Sequence, residues 1–582
     1  MTGKIERLFW IAVLLWLGSS TPLVGQTHAI NQRAESLIKA RKKPSGLATA
    51  RVVERVLNEQ EPSLACLAVG IMTESDRSTA DYVQVLMAAA KRPACFHQIA
   101  TQVVLANQGL ASAEMILQGS RKKEHVLLAA NLLAIQSQLD MMTAAGKRKG
   151  KKGGKNRKPG SAASVTELVR QLLGSKDRAV LELALLSAAH LGINVDEEVA
   201  GLEMRRSPAA EAARLLYLAG RGQPLDNAQI EGVAAGRFKS DKQFQEVSPA
   251  LSTYAPTSHP LCYLAQALAA AGNTSHMKHL HAGLEHPDLR VQSDCAKAIE
   301  TLGQPSSLGP LQQALPGSAW PTRIRIYSAL GAIPDPSSVP VLLEQLGRET
   351  GRFRLDCVYA LSSIVGEDKY TDPAGWRQAW QELESTFEVD RGRTATFRQE
   401  NRVADMYVRS LGTFYRHGIY SDRLVYVVDT SASMKGEKIK DLELNLAESA
   451  ASLKDPARFS ILTFGGAIQM IADRLQVAAA GDAISDLLYG LKLSYATRTH
   501  DAIQMATLYG EADTIYFLSD GAPVSGALGK WHTIIPAYRY FHRYRPIALF
   551  TVPFKAGEKN AHMMKLFAEE NYGQSGGTED AE

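Results

Sequence analysis

Hydrophobic and polar positions alternate in two different ways along this 582-residue chain. Through the first two thirds, apolar residues recur three and four apart, the spacing of helices with one buried face. Residues 83–90 and 125–139 are examples. From about Pro260 the pattern itself repeats. Ala267-Leu268, Ala298-Ile299, Ala329-Leu330 and Ala360-Leu361 stand 31 residues apart, and Leu284, Leu315 and Leu346 keep the same interval in a second helix. Gly272 and Gly303 stand where a helix ends on a left-handed residue. Two short helices per 31 residues predict an α-solenoid, in which each unit buries its apolar face on the next. Residues 178–192 and 208–220 read as degenerate earlier copies, and Trp376 and Trp380 as an apolar cap on the last.

Near residue 421 the period changes. Leu424-Val425-Tyr426-Val427-Val428 is an unbroken apolar run, mostly β-branched and aromatic. Such a run predicts a strand buried on both faces, inside a parallel sheet with helices on each side. Similar runs at 459–464, 513–518 and 547–552 predict its neighbours. After the first run, Ile439, Leu442, Leu446, Ala450 and Leu453 share one helical face, and 563–571 reads as the closing helix. The aromatic and basic stretch 538–545 lies where a crossover helix is required, so it reads as half-packed helix rather than as a base-stacking surface.

Two carboxylates end these runs. Asp429 closes the first and is followed by Ser431 and Ser433; Asp520 closes the third and is followed by Gly521. Turns at the carboxyl ends of parallel strands are where open α/β sheets bind ligands. Carboxylate and hydroxyl oxygens are hard ligands, suited to Mg²⁺, Mn²⁺ or Ca²⁺ rather than to Zn²⁺ or copper. If the two strands are neighbours, their terminal carboxylates repel unless a cation lies between them. The loop around Thr497, Thr499, His500 and Asp501 supplies further oxygens.

The segments DTSAS, TRTHDAI and SDGAP, in that order, resemble the three parts of the metal-ion-dependent adhesion site of von Willebrand factor A-type domains. The resemblance covers about residues 421–575. It implies a doubly wound, mostly parallel sheet and a metal set of Asp429, Ser431, Ser433, Thr497 and Asp520. Thr497 is taken over Thr499 because the family's threonine stands four before the aspartate of the following helix, here Asp501. Ala432 and the pair Tyr495-Ala496 stand where the family has glycines. The 31-residue units resemble HEAT-type repeats.

The expected architecture is therefore multidomain: an N-terminal all-α solenoid of HEAT-like repeats and a C-terminal α/β doubly wound, mostly parallel sheet of the von Willebrand factor A type. A signal peptide or N-terminal anchor is expected over 1–29, where Lys4 and Arg7 precede an apolar stretch and small residues follow. A helical domain follows over 30–146, then a basic flexible linker over 147–163. The solenoid is expected over 164–384, clearest at 260–366, then a connector over 385–420, the α/β domain over 421–575 and a disordered tail over 576–582.

Composition changes this picture little. Net charge is +5, and eight Lys and Arg with no acid fall in 147–158, which leaves the remainder near −3. That run reads as a solvated linker, and no nucleic-acid partner is expected. Cys295, Ile326 and Cys357 share one repeat position, so both cysteines read as core thiols; a pair between Cys66 and Cys95 stays open. His276 and His279 share a helical face without the further ligands that zinc needs.

The N-terminal segment implies export, to the periplasm, cell envelope or outside the cell, and the resemblance implies a Mg²⁺-dependent binding or scaffold protein, with Mn²⁺ or Ca²⁺ as alternatives. An acidic side chain of a protein partner would complete the metal's coordination, with a second partner on the solenoid surface. Membrane attachment follows only if the N-terminal segment is uncleaved. Two other readings stay open. One is a structural envelope protein whose metal only stabilises the fold; the other is a metal-dependent hydrolase with His500 as its base. No catalytic residue is assigned, and GxxxxGK[ST] and HExxH are both missing from the chain.

Overall fold

The computed structural model describes Leu37 and residues 48–576, apart from 60–61, 74–76, 107, 148–161, 203–206, 237–258, 368–371, 402–409, 416, 472–474, 477–492, 494–495, 509–511, 527 and 543. The expected signal segment, nearly all of the basic linker, the tail beyond 576 and Tyr495 lie outside the described residues. No helix among those described is long and apolar enough to cross a membrane.

Helices build the N-terminal part and a mixed sheet the C-terminal part. The four Ala-Leu or Ala-Ile pairs fall on the helices Pro260–Ala270, Leu289–Leu302, Trp320–Ala332 and Gly351–Val365, all fully or nearly fully buried. Shorter helices alternate with them, and Leu284, Leu315 and Leu346 are buried at or next to these. Gly272 and Gly303 take φ of 60° and 62°, which lets the chain leave its helix in the left-handed region. Cys295 and Cys357 are buried thiols and Ile326 is buried beside them in the series. Cys66 is buried, while the side chain of Cys95 lies outside the described residues.

The sheet has five strands. They are β3 (Arg423–Asp429), β4 (Arg458–Phe464), β5 (Ile468–Met470), β6 (Thr514–Ser519) and β7 (Ala548–Pro553), after a separate hairpin of β1 (Gly412–Phe414) and β2 (His417–Ile419). The order is β5-β4-β3-β6-β7, with β5 antiparallel to β4 and the other pairs parallel. The apolar run of β3 divides by parity. Leu424, Tyr426 and Val428 join the core shared with the Glu437–Ser452 helix and the hairpin. Val425 and Val427 join a second core with residues of the Thr499–Leu508, Trp531–His542 and Glu558–Glu569 helices. Burial of both faces is why the run shows no polar alternation.

The expected connector over 385–420 is more ordered than its sequence suggests. It holds the Arg391–Glu400 helix and the β1–β2 hairpin, whose Phe414 and Ile419 are fully buried. The last 31-residue unit also meets the sheet directly. Arg352, in the first turn of the Gly351–Val365 helix, is buried and donates from Nη1 to the carbonyls of Asp513 at 3.0 Å and Pro546 at 2.6 Å. The Thr350 hydroxyl donates to Asp422, and the Arg423 guanidinium lies 4.4 Å from the Phe353 ring centre. All these sheet residues lie at or just before the amino ends of β3, β6 and β7.

Candidate functional site

The opposite ends of the strands carry the candidate chemistry. Val428 pairs with Leu518, so β3 and β6 finish side by side and the turns after them emerge together. Asp429 ends β3 and is fully buried. Its Oδ1 accepts the Ser431 N–H at 2.8 Å, and its Oδ2 accepts the Ser519 hydroxyl at 2.6 Å. The Ser431 and Ser433 hydroxyls are 2.9 Å apart, and Ser433 donates to Asp520 Oδ1 at 2.7 Å. Ser433 has one hydroxyl proton and gives it to Asp520, so the proton between the two serines comes from Ser431. Lys438 closes the series by donating to Asp520 Oδ2 at 2.6 Å.

Local structure explains this convergence. Thr430 donates its N–H to the Phe464 carbonyl at 2.8 Å, and its hydroxyl approaches the same oxygen at 3.1 Å, which pins the turn to β4. A short 3₁₀ turn, Ala432–Met434, follows. Gly436 then takes φ of 90°, a value a side chain would resist, and turns the chain into the Glu437–Ser452 helix. Lys438 thus sits in a first helical turn, where the helix dipole disfavours a cation. Its pairing with Asp520, whose side chain is 1% exposed, offsets that cost.

Of the five residues expected to bind metal, four are joined in this one network. Thr497 is buried, and its backbone is held by the loop after β6. Its N–H donates to Ser525 Oγ at 3.0 Å, and its carbonyl accepts from Val524 and Ser525. No hydrogen bond among the described residues joins its side chain to the other four. Thr499, the threonine passed over, is fully buried, and its hydroxyl has no hydrogen-bond partner among the described residues. His500 is buried with Nδ1 2.9 Å from Asp501 Oδ1, and Arg498 holds Asp501 Oδ2 at 3.0 Å. Gly526, at φ of 90°, backs onto Asp501, and a Cβ there would lie 2.9 Å from Oδ2. The Thr497 hydrogen bonds to Val524 and Ser525 tie the 497–501 loop to the loop after β6, with Asp501 packed against Gly526.

Burial pushes the Asp429 carboxyl up to about 6; hydrogen bonds from Ser519 and Ser431 oppose this, and the nearby Asp520 adds to it. Its oxygens meet hydroxyl and N–H donors but no cationic side chain among the described residues. A deep carboxylate without a counter-charge, beside two hydroxyls and a second carboxylate, fits a hard cation. Among the described residues no group of three or more His, Cys, Asp or Glu is placed to hold a metal ion of any kind, so a site here would draw on the serine and threonine hydroxyls. His276 and His279 both approach Glu231, at 4.0 and 3.1 Å, and stop at that one carboxylate.

Sequence reasoning missed two members of the network. Ser519 is the last residue of an apolar strand, and Lys438 is one of several charges on an amphipathic helix. The only signal was spacing: Ser519 directly precedes Asp520, and Lys438 stands five after Ser433. Protein-family models and curated proteins were both compared with the chain, and neither comparison returns a match.

Proposed function

We propose that residues 421–575 form a von Willebrand factor A-type domain with a metal-ion-dependent adhesion site, and that the chain is an exported, metal-dependent binding or scaffold protein. The observation that carries this reading is the hydrogen-bonded series Asp429–Ser431–Ser433–Asp520, drawn from two turns that adjoining parallel strands bring together. Helices on both sheet faces support the doubly wound fold, and the 31-residue register of buried positions supports HEAT-like repeats for the helical part.

In this reading Asp429, Ser431, Ser433, Thr497 and Asp520 would hold Mg²⁺, with Mn²⁺ or Ca²⁺ as substitutes. The ion would supply a positive centre for an acidic side chain of a partner protein. Asp429 and Ser519 fix the floor of the site, and Ser433, which is exposed, stands at its rim. Binding rather than hydrolysis is the proposed role. The helical part would act as scaffold or second docking surface.

The test is capture of envelope proteins by wild type and by Asp429→Ala, with and without EDTA. Partners that bind only wild type, and only without chelator, are the expected result, with far-ultraviolet circular dichroism unchanged. Retention of every partner by Asp429→Ala sinks the metal-bridge reading. A chelator-dependent fall in melting temperature with no captured partner would instead favour a merely stabilising ion.

A further inference from the structure

The cation expected between the two strand-end carboxylates has a rival within the chain. Lys438 Nζ lies 2.6 Å from Asp520 Oδ2, and the Asp520 side chain is nearly inaccessible while that of Lys438 is 28% exposed. The ammonium thus reaches down from the rim and covers a carboxylate oxygen that a metal would need. Asp520 uses its other oxygen for Ser433, so the pair also keeps the serine chain assembled. Nothing in helix stability calls for a lysine in that first turn, since the dipole opposes it.

We propose that Lys438 is a built-in counter-ion that competes with the divalent cation for Asp520 and so sets the cation level at which the site fills. The inference rests on the metal-site reading above and adds a residue that the reading does not need. Two routes lead to the same sign. If the ammonium stays in place, it repels a doubly charged neighbour a few ångströms away. If it swings out, its ion pair with a nearly dry carboxylate is lost, and that loss is subtracted from the metal's affinity. A single positive charge gains little by exchanging with an ammonium, so the arrangement selects doubly charged ions over Na⁺ or K⁺. Without metal, the same lysine keeps Asp520 compensated and the site preassembled.

Mn²⁺ titration of the full chain, followed by electron paramagnetic resonance, reads this directly. Wild type, Lys438→Met, Lys438→Gln, Lys438→Arg and Asp429→Ala are compared, with folding checked by circular dichroism. Lys438→Met and Lys438→Gln are expected to bind Mn²⁺ at least fivefold more tightly than wild type, with Lys438→Arg close to wild type. In EDTA the two neutral variants should melt below wild type and gain more melting temperature on Mn²⁺ addition. If wild type binds Mn²⁺, Asp429→Ala does not, and the neutral variants bind no more tightly than wild type, the competition is wrong and the site reading stands. If no protein in the series binds Mn²⁺, the site reading fails and takes this inference with it.

Discussion

Asp429 and Ser433 belong to one network yet sit in opposite surroundings. Asp429 is fully buried and takes a 2.6 Å hydrogen bond from Ser519; Ser433 is exposed and links Asp429's turn to Asp520. Removing a donor from a buried carboxylate leaves that charge less satisfied, at a cost of about 1–3 kcal/mol. Ser519→Ala should therefore lower unfolding free energy by that amount in urea melts run in EDTA. Ser433→Ala also takes a donor from a nearly inaccessible carboxylate, Asp520, so it should cost about 1–3 kcal/mol there too and, unlike a purely structural change, should weaken Mn²⁺ binding in the titration above. At this scale the sequence was legible where a polar residue breaks an apolar run, as at Asp429 and Asp520. It was illegible at Ser519 and Lys438, whose importance depends on which carboxylate the fold brings to them. The choice between Thr497 and Thr499 turns on the backbone of one loop, which spacing alone does not determine.

Elements followed the pattern of burial closely. The strand read over 424–428 is β3, and the pairs 31 residues apart lie on the longer helix of each successive unit, because burial on two faces or on one stripe leaves a periodic trace. The stretch 385–420 left no such trace. Strands of three residues are too short to show alternation, and the Arg391–Glu400 helix is mostly charged and polar. Glycines separate by the same logic of surroundings. Gly232 lies exposed within the Asn227–Ala234 helix, with open space where a Cβ would be, so Gly232→Ala should raise stability by about 0.5–1 kcal/mol. Gly283 ends the Met277–Gly283 helix, and a Cβ there would run into Cys295 Sγ of the next unit. Gly283→Ala should lower stability by about 1–3 kcal/mol through overpacking, despite alanine's better helix propensity. Thermal melts of the two variants should move in opposite directions.

Across the whole molecule, the helical part and the sheet share more than a tether. One apolar core runs from the helices through the hairpin to one face of the sheet, and Arg352 bonds two carbonyls at the strands' amino ends. Asp356 stands 3.7 Å from the same guanidinium, and its own carboxyl is raised to about 6, chiefly by burial. Taking one partner from such a buried pair costs about 3–5 kcal/mol. Arg352→Ala should lower the melting temperature and divide a shared calorimetric transition of the last helical units and the sheet into two. A single unshifted transition would mean that Arg352 does not join them. None of this was legible in the sequence, where Arg352 looks like ordinary helix surface. Thr350, Arg352 and Phe353 hold the amino ends of β3, β6 and β7, and the oxygen cluster crowns β3 and β6 at the other, about 20 Å away over seven residues. A tug from a ligand at that crown is thus borne lengthwise by strands hydrogen-bonded along their sides. It loads them in shear, the direction in which many bonds must yield together, instead of unzipping them one at a time.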